Sequence, residues 1–461
     1  MAITNNIELW APAVSPQRES GSNQPQHPPL YLPPSHVVFP IVKRYFATCN
    51  QTLPIFHEPT FYTMVMEWYQ DESPSSPARD PATWAVINVT MALALRQTSG
   101  GLHNATRHDD DRMSRECTAN AQSVLDLLVT RDEDFKGLQT LLCLSLLFMT
   151  SPSPKPACVL IATAVKLVHR LRAHTKEGKG SLDAATALQR DRLFWVTFVL
   201  DRDLSMKSVE PYIQQDNEYD VDPPTPTIPD DGVGVLATLD GTQKINLFHY
   251  RVRLALIQGT LHDTMHSVRA RSMCPAKRRL ASEKLGCALW EWRCSLPEVF
   301  RHERLESWEG GIPRVLLQLH LTYMLCFFMS FRLHVRDAEW MEQLTAFSDQ
   351  FVPSERRSET GDNGGGTECM LPNHWGTFAE AARASIAMVK LIDEADSALV
   401  WCVSEVIFSP SRRRRAVADS ICFSMLTSAQ EFDMPIPSSH HGSHRQQSDC
   451  FKASYGQPHR H

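Results

Sequence analysis

The sequence predicts an all-α protein: one large multi-helix body with a disordered N-terminal leader and a disordered C-terminal tail. Three observations predict it. Apolar residues recur at three- and four-residue spacing in long segments on both sides of the chain's midpoint, the pattern of helices that bury one face. No strand–helix alternation appears and no glycine-rich nucleotide loop opens a helix, so a parallel-sheet fold has no support. The composition, 43% apolar and 21% charged with 20 Gly and 30 Pro in 461 residues, is that of a globular chain with loop-rich insertions. This length exceeds one ordinary core and fits two or three poorly separated units or one extended body; the helical runs favour the latter.

Residues 1–36, rich in Pro, Ser, Gln and Asn, read as the leader. Order is expected from Val37, where VVFPIVKRYFATC offers a helix-length apolar face and Pro40 falls early enough for the first turn to accept it. PIFHEPTF, residues 54–61, follows as a connection, with Thr60 the expected cap of the helix FYTMVMEWY. Thr83–Leu95, TWAVINVTMALAL, is apolar on most faces and therefore central. In RECTANAQSVLDLLV, Cys117, Ala121, Val124, Leu125 and Leu128 recur at helical spacing. GLQTLLCLSLLFM, residues 137–149, is nearly all apolar, and its unbranched leucines tilt it toward helix.

After the breaker SPSPKP, Ala157–Leu171 directs Ile161, Ala164, Val165 and Val168 to the core and Lys166 and Arg170 outward; Arg190–Asp203 repeats that design. Residues 210–242, rich in Pro and Asp, lack helical periodicity and form a long excursion. Helical patterns resume at Ile245–Leu261, Leu280–Cys294, Val315–Phe331 and Phe378–Ile392, interrupted by low-complexity residues 353–374. Residues 436–461, rich in Ser, His and Gln, read as the tail.

The net charge of -6 gives the molecule no overall basic field of the kind that attracts nucleic acid. Two basic clusters are local: Lys277–Arg279 in PAKRRL and Arg412–Arg415 in SPSRRRRAV. An import receptor or a phosphate backbone can attract such clusters, and a solvated surface is the plainer reading; charge alone does not read bases. Twelve dispersed cysteines, several among apolar helix residues and none in a C-x-x-C pair, favour free thiols over disulfides, structural zinc or an iron–sulfur cluster. MAITNNIELWAPAV lacks the basic region and cleavage site of a signal peptide, so the sequons at Asn50, Asn88 and Asn104 carry little weight. Val315–Phe331 contains Gln318, His320 and Thr322, which suits a core helix better than a membrane span, and no membrane partner is expected.

Arg190, Arg192, Asp201, Arg202 and Asp203 bracket the apolar FWVTFVL run; inter-helix ion pairs and helix caps are the expected roles, with effector binding the alternative. Trp195 is expected in the core, and His57 at a loop–helix junction, hydrogen-bonded and without a nucleophile system around it. His169 and His174 lack a metalloprotease spacing, the tail histidines His440, His441, His444, His459 and His461 lack fixed geometry, and Gly364–Gly366 lacks the Lys and Ser/Thr of a phosphate cradle. No residue is assigned to catalysis, cofactor binding or metal ligation; neither an enzyme nor a cofactor is expected.

Five blocks in order, FPIVKRYFATCNQTLPIFHEPTF at 39–61, TWAVINVTMALAL at 83–95, GLQTLLCLSLLF at 137–148, ACVLIATAVKLVHRLRAH at 157–174 and QRDRLFWVTFVLDRDLSMKSVEPYIQQDNEYDVDPP at 189–224, resemble the regulatory, or middle homology, region of fungal zinc-cluster transcription factors. LHLTYMLCFFMSF at 319–331 sits where that family places a later packing helix. The resemblance implies a helical regulatory domain over 37–435, best matched over 37–224, in a nuclear transcription regulator. It implies a protein partner or homo-oligomer and a small-molecule effector. The chain also departs from the pattern. No cysteine precedes Cys49 and no basic cluster lies in the first 40 residues, where the family carries its zinc-cluster DNA reader, so DNA targeting is expected to be indirect, through another protein. Lys207–Ser208 stand where a small residue is expected, and IFSPSRRRRAVADS at 407–420 replaces an apolar late helix. The alternative is a non-catalytic cytoplasmic scaffold or small-ligand-binding helical protein outside transcription.

Overall fold

In the computed structural model, the structure describes residues 30–70, 79–96, 104–131, 135–150, 154–180, 182–208, 210–308, 312–331, 342 and 375–392. The leader as far as residue 29, the loop 353–374, the segment 407–420 with its arginine cluster, and the tail 436–461 lie outside these residues.

Helix α1, Ser35–Ala47, starts two residues before the expected Val37, so Pro40 is its sixth residue rather than a first-turn one. Its apolar stripe, Val38, Val42, Tyr45 and Phe46, is buried. A single turn, α2 (Cys49–Thr52), leads through Ile55 and Phe56 into α3, Glu58–Gln70. Thr60 is inside α3 and does not cap it. His57 holds the position before the helix: its carbonyl accepts from Phe61 N at 3.0 Å, and its Nδ1 pairs with the Thr60 hydroxyl at 2.8 Å. The expected hydrogen-bonded junction histidine is therefore present, with Thr60 as its partner.

Helix α4, Pro81–Arg96, is buried at every position from Ala82 to Leu95 and forms the centre of the first half. Being apolar all round, it can lie only between other elements. Two of them are α1 and α5, Asn104–Gln122. Ser114 donates to the Ala92 carbonyl at 3.0 Å and Asn120 to Asn88 Oδ1 at 3.0 Å, which satisfies polar groups that α4 carries into the interior. The helix expected from 115 onward breaks at Ser123–Val124, and α6, Leu125–Thr130, continues it. Cys117, Ala121, Val124 and Leu128 are nevertheless all buried, because the apolar spacing persists across the break.

Helices α7 (Phe135–Met149), α8 (Lys155–Arg170) and α9 (Ala184–Ser208) stack onto this layer. Helix α8 buries Ile161, Ala164, Val165 and Val168 and exposes Lys166 and Arg170, as the spacing predicts. Asp183 caps the 25-residue α9, accepting from the backbone N–H groups of Ala185 and Thr186 at 3.1 and 3.0 Å.

The excursion after α9 is irregular until a short antiparallel hairpin, β1 (Val235–Ala237) paired with β2 (Lys244–Asn246), Leu236 opposite Ile245. This small sheet departs from the purely helical expectation and moves the next helix start from Ile245 to Leu247. Asn246 ends β2 and caps α10, Leu247–Met265, its side chain accepting from His249 N. After one turn, α11 (Val268–Arg271), come α12 (Pro275–Ser295), two 3-10 turns (Glu298–Phe300 and His302–Ser307), α13 (Arg314–Phe331) and α14 (Trp375–Lys390). Helix α13 is long and apolar enough to cross a membrane, but 61% of it is buried among α10, α12 and α14, which makes it a core helix.

Two hydrophobic cores result. The first is built from α1 to α9; the second gathers α10, α12, α13 and α14. Helix α10 is their common wall: Phe248, Val252 and Ala255 belong to the first core, and Tyr250, Leu254, Leu261 and Met265 to the second.

Candidate functional site

The charged residues of α9 converge on the segment 210–231, which the structure lays across them as a strap. Uninterrupted burial from Leu193 to Asp201, about two and a half turns, anchors α9 between its neighbours, so its charges hold fixed positions on a rigid support. Arg192 grips Asp231 in a two-bond fork, Nη1–Oδ2 at 2.5 Å and Nη2–Oδ1 at 2.8 Å. Burial would raise the pKa of the Asp231 carboxyl; the Arg192 bonds outweigh it and hold the group below its usual value. Trp195, 2% exposed, packs in the core as expected and donates its indole N–H to the Asp222 carbonyl at 2.9 Å.

At the other end of α9, Asp201 accepts from the backbone N–H groups of Ile213 and Gln214, both at 2.9 Å, turning the strap back over the helix end. Burial raises the Asp201 pKa, and those N–H groups with Arg202 offset it in part. The Arg202 guanidinium, 1% exposed, lies between the rings of Phe198 (4.1 Å) and Tyr212 (3.7 Å) and donates to Asp216 at 2.6 Å. Gly259 of α10 makes room for it, since a Cβ there would stand 2.8 Å from Arg202 Nε. Tyr212 in turn donates to Asp263 of α10 at 2.7 Å.

Only Asp203 makes the expected inter-helix bridge, to Arg251 of α10, and it also accepts from Gln258 at 2.9 Å. Arg190 holds the loop that follows α8, donating to the carbonyls of Arg172 and Thr175. The structure thus brings Arg192, Asp201 and Arg202 together on the strap, gives Asp203 the bridging role expected, and uses Arg190 to hold a loop, not to cap a helix end. The rings of His169 and His174 stack at 4.3 Å, and His169 Nε2 pairs with Gln214 Oε1 at 2.7 Å, another tie to the strap. Burial, then the neighbouring His169, lowers the His174 pKa. Among the described residues no group of three or more His, Cys, Asp or Glu could hold a metal ion. The arrangement is a latch: charge-assisted bonds from buried groups fix an irregular segment, and losing one partner strands a buried charge.

The sequence pattern of the family described as the fungal specific transcription factor domain matches residues 42–273, half of the chain and all of the latch. The chain belongs to that family. Among curated proteins, the chain is 29% identical over 380 residues to an ABC-transporter-regulating transcription factor of Aspergillus fumigatus and, equally, to one of Aspergillus oryzae, covering 81% of this chain and 40% of each relative. It is 26% identical over 414 residues to the Fusaridione A cluster transcription factor fsdR of Fusarium heterosporum, covering 86% of this chain and 73% of that protein. No solved structure matches the chain at comparable significance. The helical body is homologous to transcription-factor regulatory regions.

Proposed function

We propose that this chain is a transcription regulator of the fungal type, acting in the nucleus as a helical regulatory and partner-binding body whose DNA targeting is supplied by another protein. The observation that carries the reading is the family match, which runs from α1 through α11 and includes the latched strap. The Aspergillus relatives are named for transporter regulation and the Fusarium one for a metabolite cluster; what they share is transcription regulation itself. The chain spans 40% of the length of the Aspergillus relatives, so their whole activities are not carried over. We take 37–435 as the regulatory domain, flanked by the leader 1–36 and the tail 436–461, engaging a protein partner or a second copy and responding to a small-molecule effector.

The cluster Lys277–Arg279 supports a surface contact. It occupies the first turn of α12, where positive charge is disfavoured by the helix dipole, and Lys277 is exposed. The test is co-purification of the full chain followed by DNA-site selection. The reading expects a DNA-binding partner in the complex and a reproducible site selected only by that complex, at salt of about 200 mM, which suppresses backbone attraction. Site selection by the purified chain alone overturns the partner-supplied targeting. Exclusion of a tagged chain from nuclei, unchanged when Lys277 and Arg279 are replaced by Ala, favours the cytoplasmic scaffold instead.

A further inference from the structure

A cavity of about 320 Å³ opens between α13, α14 and the turn His302–Ser307, away from the latch and outside the family-matched residues. One wall is a slot of small side chains, Ala381, Ala384 and Ala387, on successive turns of α14; the facing wall carries Tyr323 and Phe327 of α13. The Tyr323 ring is the middle of an aromatic column, stacked on Trp292 at 5.2 Å and on His302 at 6.1 Å. At the polar end sits His302. Its side chain is nine-tenths buried, it lines the cavity, and its Nδ1 has no hydrogen-bond partner among the described residues, Glu303 Oε2 lying 3.4 Å away.

The charges around this space are unequal. Among the described residues, Glu303 and Glu380 line it with one guanidinium, Arg293, which is already bonded to Glu303 at 2.7 Å. Burial lowers the His302 pKa, so the imidazole is neutral near pH 7 and adds no positive charge. An anion would therefore meet an excess of carboxylate, while a neutral or cationic molecule would not. The volume is at the small end of ligand sites, about 300–1,000 Å³, and fits a bicyclic ring with a short polar arm.

We propose that this cavity binds a flat, largely apolar small molecule, neutral or singly cationic, with its ring between the α14 alanines and the α13 aromatics and its polar arm at His302. The proposal rests on the reading of the body as effector-responsive and names the ligand class that the cavity admits.

Three indoles of nearly equal size separate charge from shape: tryptamine (cationic), tryptophol (neutral) and indole-3-acetate (anionic). With the full chain, thermal unfolding and titration calorimetry should show saturable binding of the first two. At ligand about tenfold above Kd the unfolding midpoint should rise by about 1.5–2.5 °C. Indole-3-acetate should give no shift, and Ala384→Phe or Ala387→Phe, each filling the slot from a different turn, should abolish the others. A variant counts only if its helical circular dichroism is retained. The proposal is overturned if neither tryptamine nor tryptophol binds, if indole-3-acetate binds as well as they do, or if binding survives in a folded Phe variant. Because the readout is binding alone, a negative result beside successful partner capture rejects the cavity and leaves the regulatory reading standing.

Discussion

His320 makes the second core sensitive to acid. It is fully buried on α13, and its Nε2 lies 2.8 Å from the Phe300 carbonyl, so Nε2 carries the hydrogen and donates. Among the described residues Nδ1 has no hydrogen-bond partner, and the His302 ring is 5.7 Å away. A second proton would thus be an unpaired charge in an apolar interior, and burial lowers the His320 pKa from its usual 6.5 to about 4. The sign follows from the unfolded chain, which binds the proton more readily than the folded one. Stability is full above the unfolded pKa and is lost as pH falls from 6.5 toward about 4. The whole shift corresponds to about 3 kcal/mol, of which about 2 kcal/mol is lost by about pH 5. Other histidines with pKa values lowered by burial, His249, His262 and His302, contribute in the same direction, so the wild-type slope alone does not isolate His320. His320→Gln does, because an amide can still donate to Phe300 but does not titrate. Urea unfolding of both proteins at about pH 7.5 and about pH 5 should show the wild type losing about 2 kcal/mol more than the variant. Parallel losses would refute the argument.

Gly259→Ala should destabilise the fold by about 1–3 kcal/mol, because its Cβ must displace an Arg202 guanidinium held between two rings, whereas Gly286→Ala on α12, with nothing within 4 Å, should gain about 0.5–1 kcal/mol; denaturant midpoints check both. Asp231→Asn weakens the fork to the buried Arg192 and should cost about 2 kcal/mol, with faster amide hydrogen exchange in 210–231 but not in α4; unchanged exchange in the strap would show that the latch does not hold it. Trp195→Phe keeps the aromatic packing and removes the bond to Asp222, so a loss of about 1 kcal/mol is expected in the same assay.

Where one helix face alone decides burial, the sequence was a sufficient guide. The α8 stripe landed as its spacing predicts, and the unbroken apolar run of α4 placed it at the centre. The start of α5 was not legible, because Asn104–Arg115 is almost entirely polar and its contact with α4 depends on single groups such as Ser114. The break before α6 was hidden for the opposite reason: Val124 stays buried, so the apolar rhythm passes through it. The charges of α9 were recognisable as structural, but their partners were not. Asp231 and Arg251 lie 39 and 48 residues from the groups they bind, in segments with no shared periodicity. The cavity was equally silent, since the alanines of α14 and the turn at His302 meet only through tertiary packing. His302 and Glu303 carry no motif that would have marked them.

The division of labour between the two kinds of force bears on how such a body can regulate. Apolar burial fixes the helices, and α10, shared by both cores, cannot move without disturbing each. The strap is anchored in the first core at Tyr219 and Val221 and is otherwise held by polar ties, among them Arg192–Asp231, Arg202–Asp216, the Asp201 carboxylate to two backbone N–H groups, and Tyr212–Asp263. Charge-assisted ties respond to competing charge, whereas burial of this kind responds mainly to temperature and denaturant. The second core offers a different handle: Trp292 donates to the Tyr250 carbonyl of α10 at 2.9 Å and stacks on Tyr323, so the cavity wall and the common helix share a contact. Helix α10, bonded to the strap through Asp263 and to Trp292 through the Tyr250 carbonyl, thus joins the charged ties of the strap to the apolar packing of the second core.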